Sequence, residues 1–211
     1  MFNLLFSDPA LFLIRFLALV YGITIHEFGH ALAGYLQGDN TAKSMGRLTL
    51  NPLSHLDFMG TIVILLTGFF GWGKPTPYNP YNLKNKKYGS MLVGLAGPAM
   101  NLISIIIFGL ALSFFSGRLP FDNLLIQFLF TLVLINIVLM VFNLIPIYPL
   151  DGSKVLFTFL GPANNFRMTL ERLGPQLLLF IIIIDYIGNI GILSGMFQWV
   201  FNLVFRIFGW I

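Results

Sequence analysis

Apolar residues in this chain fall into long blocks separated by short polar connectors, and the length of each block predicts its element. A helix needs about 20 apolar residues to cross a hydrocarbon core of ~30 Å. The blocks at about 11–36, 88–115, 124–143 and 175–193 meet that length and predict four membrane-crossing helices. The block at 58–72, FMGTIVILLTGFFGW, does not. As helix it covers at most ~23 Å, which predicts a re-entrant segment that enters and leaves on one face. The last block, 196–211, is interrupted by Arg206 and predicts an interfacial or tilted helix. Between the third and fourth spans lies NLIPIYPLDG, residues 143–152. There Pro146 and Pro149 lack the N–H that a helix needs, so the helix should break. Along the first block Ala18, Gly22, Gly29 and Ala33 form a stripe of small residues that lets another helix pack closely.

Composition agrees with that pattern. The chain is 57% hydrophobic and 9% charged, with a mean hydropathy of +0.85. Soluble domains carry about a quarter charged residues, so the expectation is an all-α polytopic bundle forming one membrane domain over residues 1–211. Cysteine is absent. Disulfides and thiolate ligands are excluded, and a metal site is limited to nitrogen and oxygen donors.

The net charge of +4 does not indicate nucleic acid, because the bases are few and scattered among connectors. They serve better as topology markers. With the N-terminus outside, four crossings put connectors 37–87 and 144–174 in the cytoplasm. Those connectors hold nine of the twelve Lys and Arg residues, in line with the positive-inside tendency. Bases flank 58–72 on both sides, at Lys43 and Arg47 before it and Lys74, Lys84, Lys86 and Lys87 after it, which again favours re-entry. The N-terminus lacks the basic start of a signal peptide, and no internal repeat is visible.

Chemistry enters at residues 26–30, HEFGH, inside the first span. His at i and i+4 lie on one helix face, so His26 and His30 can grip one ion, with Glu27 beside it to take a proton from water. Three His and two Glu in 211 residues make this spacing rare by chance. The plainer alternative is a pair of core histidines satisfied by backbone carbonyls. Counting from Leu11, His26 lies ~22 Å into the ~30 Å core, nearer the second face.

A catalytic zinc needs a third protein ligand and an open position for water. The candidates are His55 and the acids. Asp39, Asp57, Asp122 and Glu171 fall in polar connectors, where a solvated charge is the default. Asp151 follows a span on broken backbone at the depth of the histidines and is the favoured ligand; a turn or helix N-cap before Gly152 and Ser153 is its alternative. Asp185, within the fourth span, is the competitor. Asn101 places an amide in the second span, suited to an oxyanion, a substrate backbone or an interhelical hydrogen bond. Asn143 has the same choices. Pro98 should free the carbonyl of Gly94, and Gly97 should admit another backbone.

Three motifs, HEFGH at 26–30, GPAMN at 97–101 and NLIPIYPLDG at 143–152, together resemble the site-2 protease family of intramembrane zinc metalloproteases. The resemblance covers most of the chain and implies one zinc ion per chain held by His26, His30 and Asp151, with Glu27 activating water. It also implies an integral membrane enzyme that cuts transmembrane protein substrates within the lipid bilayer. Residues 47–61 resemble the corresponding stretch of small prokaryotic members, which points to a prokaryotic cell membrane with the site nearer the cytoplasmic face. His55, in that stretch, is a candidate to polarise the substrate carbonyl, with a solvated or hydrogen-bonded histidine as the alternative. The segment GWGKPTPYNP, residues 71–80, is a candidate edge for an unwound substrate, or else a linker. No inserted PDZ domain and no CBS pair are expected. The rival expectations are a membrane scaffold that binds metal without cutting and a metal or proton transporter. Glu27 argues against the first, and the lack of repeated halves against the second.

Overall fold

A short α1 (Phe2–Ser7) leads into α2 (Pro9–Leu36). Asp8 starts α2 by accepting the Leu11 N–H at 2.9 Å, and Pro9 occupies the first turn, where no N–H is required. The structure is a computed structural model that describes residues 2–67, 72–188 and 190–210. After α2 come α3 (Thr41–Ser44), α4 (Phe58–Thr67), α5 (Gly89–Ser116) and α6 (Leu124–Asn143). The chain then continues through α7 (Gly152–Phe159), α8 (Asn165–Gly188) and α9 (Ile192–Ile207). Among the described residues there is no strand, so the all-α class read from the block pattern is the class observed.

The helices α2, α5 and α6 pack on one another and form the centre of the bundle. Each is long and apolar enough to cross a membrane. Their shared interior mixes small and polar residues with branched apolar ones: Ala18 and Gly22 on α2, Asn101 and Ser104 on α5, and Val133, Asn136 and Ile137 on α6. Large apolar side chains point outward instead, among them Leu13, Leu17, Ile103, Ile107 and Leu110. In lipid there is no hydrophobic drive between helices, so close approach and interhelical hydrogen bonds hold them together. The Tyr21–Ser104 hydroxyl pair at 3.0 Å is one such bond.

The C-terminal block folds back onto this centre. Val204 of α9 is buried with Ile105, Val133 and Ile137, and Phe208 fills the space left by Gly109. Trp210 stacks on Phe208 at 5.0 Å and donates from Nε1 to Ser113 Oγ at 2.9 Å.

Two boundaries differ from the sequence reading. The fourth apolar helix begins at Asn165, ten residues before Pro175, and carries that proline inside it. Asn164 makes this start by accepting the Phe166 and Arg167 N–H groups. It stops at Gly188, and Asp185 then accepts the Ile192 N–H at 2.6 Å and so begins α9. The block at 58–72 is helical over Phe58–Thr67, while 68–71 lie outside the described residues. Its two ends meet: Leu56 and Gly73 form an antiparallel bridge, and the Lys74 N–H donates to the His55 carbonyl at 2.7 Å. From there residues 74–79 run without regular structure beside α2. Thr76 is bonded to Glu27, and the Asn79 N–H to Asp39.

Asp39 corrects an expectation. Instead of a solvated connector charge it is 1% exposed and accepts from Thr41, the Asn79 N–H and Asn82 at 2.6–3.1 Å. The returning 79–82 turn covers it, a contact that local sequence does not announce.

Candidate metal centre

His26 and His30 occupy one face of α2, their rings 4.7 Å apart and nearly perpendicular. Each ring has one nitrogen against an oxygen outside the pair. His26 Nδ1 lies 2.6 Å from Asn101 Oδ1, and His30 Nδ1 lies 2.7 Å from the Val93 carbonyl. Both oxygens are acceptors, so each histidine carries its proton on Nδ1 and presents a bare Nε2. The carbonyl that α5 turns toward the site is therefore that of Val93, one residue before the Gly94 carbonyl expected from Pro98.

The two Nε2 atoms converge on Asp151, which follows the broken segment after α6. Asp151 Oδ2 is 3.0 Å from each of them, and they are 3.1 Å from each other. His26, His30 and Asp151 are all buried. With both rings neutral, three acceptors face one another with no hydrogen between them, which is costly away from water unless a cation sits among them. Their spacing fits one. A tetrahedral zinc with bonds of ~2.05 Å has ligands ~3.3 Å apart, close to the separations observed, and two imidazoles with a carboxylate are a zinc donor set.

Close approach of helices makes room for this cluster. A Cβ on Gly97 would stand 2.5 Å from His30 Nε2 and 2.8 Å from His26 Cε1. A Cβ on Gly29 would stand 2.6 Å from the Ala96 carbonyl oxygen. No larger residue at either position leaves α2 and α5 where they are.

Glu27 is half-buried beside the cluster, within 4.8 Å of both histidines. That is looser than the 3.0–3.1 Å set, so Glu27 stands next to the three acceptors and not among them. The Thr76 N–H donates to Glu27 Oε2 at 2.8 Å, and Thr76 Oγ1 donates to the Glu27 carbonyl at 3.1 Å.

Of the remaining sequence candidates, Asn101 touches the cluster through His26 and the others lie elsewhere. Asn101 is fully buried, and its amide hydrogens go to the Gly22 carbonyl at 3.2 Å and Asn136 Oδ1 at 2.8 Å. Neither hydrogen is free here for an oxyanion or a substrate backbone. His55 is fully buried in its connector with Nε2 2.8 Å from the Thr49 carbonyl, and its Nδ1 has no partner. Asn143 donates to Leu139 in its own helix. Asp185 caps α9, Asp57 accepts the Gly60 N–H at the start of α4, and Glu171 pairs with Arg167.

Three contributors were missed by the sequence reading. Asn136, an amide in an apolar block, carried a usable signal. Lys154, which donates to Asp151 Oδ1 at 2.8 Å, stands three residues on in the same turn and was legible as an i,i+3 pair. Thr76 lies in the 71–80 stretch read as a candidate edge, but nothing local marked it as the partner of Glu27.

Comparison with known proteins places the chain in a family. The model of peptidase family M50 matches residues 117–183. YwhC of Bacillus subtilis is 38% identical over 178 residues, covering 82% of this chain and 81% of YwhC. Rip2 of Mycolicibacterium smegmatis is 27% identical over 96% of this chain and 75% of its own length. The zinc metalloprotease MJ0392 of Methanocaldococcus jannaschii is 24% identical over 81% of this chain and 42% of its own. The chain belongs to peptidase family M50, the site-2 protease family of zinc metalloproteases. It is an integral membrane protein. No solved structure matches it.

Proposed function

We propose that this chain is an intramembrane zinc endopeptidase that cleaves transmembrane segments of other proteins. His26, His30 and Asp151 hold one zinc ion, and Glu27 is the general base. The observation that carries the reading is the buried convergence of three acceptors at 3.0–3.1 Å with a carboxylate beside them. Zinc bound there supplies Lewis acidity, polarising a scissile carbonyl and lowering the pKa of water. Glu27 takes the proton of the attacking water and delivers it to the leaving amine. Thr76 holds one oxygen of that carboxylate and leaves the other for the proton. Asn101 and Val93 act through the imidazoles, keeping both in the form that exposes Nε2.

A transmembrane helix shields its peptide bonds with its own hydrogen bonds, so the substrate must unwind to be cut. The irregular 74–79 segment beside Glu27 offers backbone groups to an unwound chain. Residues 58–72 re-enter from the cytoplasmic face, a reading supported by the pairing of Leu56 with Gly73. With α8 as the fourth crossing, the site lies nearer the cytoplasmic side of a prokaryotic cell membrane, where water can reach it.

The test is metal content and cleavage of single-span substrates by the purified protein, with and without chelator. Glu27→Gln keeps zinc and loses at least about a hundredfold in rate, the span of a general base. Asp151→Ala loses zinc, while His55→Ala and Asp185→Asn retain it. Zinc retained by Asp151→Ala and lost by His55→Ala would overturn the ligand set; full turnover by Glu27→Gln would remove the base.

A further inference from the structure

The Asp151 carboxylate faces two ways. Oδ2 lies 3.0 Å from both histidine Nε2 atoms, and Oδ1 accepts from Lys154 Nζ at 2.8 Å. Lys154 reaches it through a gap made by α5: a Cβ on Gly94 would stand 2.9 Å from Lys154 Cδ and 3.0 Å from its Cβ. On its other side the ammonium lies 5.5 Å from the centre of the Tyr78 ring, in the segment that also carries Thr76. The lysine thus lies, half-buried, between Asp151 and the segment that holds Glu27. A carboxylate left to itself beside a divalent ion can offer one oxygen or both. Offering both would occupy the position that a hydrolytic zinc site keeps open for water.

We propose that Lys154 is a positioning residue that reserves Asp151 Oδ1, so that Asp151 serves the metal through Oδ2 alone. The inference rests on the ligand set proposed above. Lys154 does not touch the substrate; it acts through Asp151.

The experiment compares the full-length protein with Lys154→Met and Lys154→Arg, each loaded with zinc for X-ray absorption and with cobalt(II) for visible absorption. In the native protein and in Lys154→Arg the metal is four-coordinate, because a guanidinium can donate to the same oxygen. In Lys154→Met the second Asp151 oxygen joins, giving a five-coordinate site and weaker cobalt bands. On single-span substrates kcat falls by about 10–100-fold, the usual effect of losing an outer partner of a ligand, with KM within about twofold. Lys154→Arg recovers most of that loss. Unchanged coordination in Lys154→Met overturns the proposal, and so does a kcat loss that Lys154→Arg leaves in place. Zinc content undiminished in Asp151→Ala would strike the ligand set itself, a separate and distinguishable failure.

Discussion

His26 Nδ1 and Asn101 Oδ1 lie 2.6 Å apart, and Asn136 holds the same amide from its other end at 2.8 Å. Asn136 in turn donates to the Leu132 carbonyl at 2.8 Å. The result is a directed chain from α6 through α5 to α2 that keeps a proton on Nδ1, so that the neutral ring presents its lone pair on Nε2. In an apolar bundle a half-satisfied chain is expensive, so each member fixes the next.

Asn101→Ala is therefore expected to weaken zinc binding by about 10–100-fold, the usual effect of losing a hydrogen bond behind a ligating histidine. Asn136→Ala is expected to do less, because Asn101 retains the Gly22 carbonyl. Competition with a chromophoric chelator reads both. Equal zinc affinity in Asn101→Ala and the native protein would show that the amide only assembles the bundle.

Gly97→Ala pits two effects against each other. Helix propensity favours alanine by about 1 kcal/mol. The added methyl, however, stands 2.5 Å from His30 Nε2, and the imidazoles cannot give way without leaving Asp151. Loss of zinc with the helical circular-dichroism signal retained is the expected outcome. Gly195→Ala in α9, which meets nothing within 4 Å, is the control and keeps its zinc.

Asp39 makes stability depend on pH. Burial alone would raise its carboxyl pKa, but hydrogen bonds from Thr41, the Asn79 N–H and Asn82 outweigh burial and hold it below its ordinary value of 3.8. A pKa depressed by folding stabilises the folded state above the unfolded value, and that contribution is lost as pH falls through the folded one. Asp39→Asn should thus melt at a lower temperature than the native protein at pH 7, and the gap should shrink in scans taken below about pH 4. A gap independent of pH would assign the effect to packing alone.

Topology is open to labelling, since the chain has no native cysteine. Ser44→Cys, Ser90→Cys and Ser116→Cys bracket residues 58–72 and the following apolar helix. An impermeant thiol reagent applied outside intact cells should label the Ser116 variant alone. Labelling of the Ser90 variant without the Ser44 variant would mean that 58–72 crosses the bilayer, a result hard to square with the pairing of Leu56 and Gly73.

Three of the four expected spans, the HEFGH face and the chain break before Asp151 were legible because each is a local matter. Helical periodicity places His26 beside His30 whatever else the chain does, and a proline removes an N–H wherever it sits. The start of α8 was misplaced because a proline reads as a helix start, whereas here Asn164 caps the first turn and the helix carries Pro175 inside it. Asp39 and Asp185 were read as connector or span charges because their partners, the 79–82 turn and the start of α9, arrive from other segments.

The sequence by itself determined that the protein is a helical membrane bundle with two histidines and a glutamate on one face of its first long helix. Only the tertiary structure decided what those residues meet. The bond from His26 to Asn101 joins positions 75 apart, and the contact with Asp151 joins positions 125 apart. Such pairs depend on how far helices rotate and how closely glycines let them approach. Side-chain periodicity sets which face of a helix turns inward, but not which atom of a neighbour waits there.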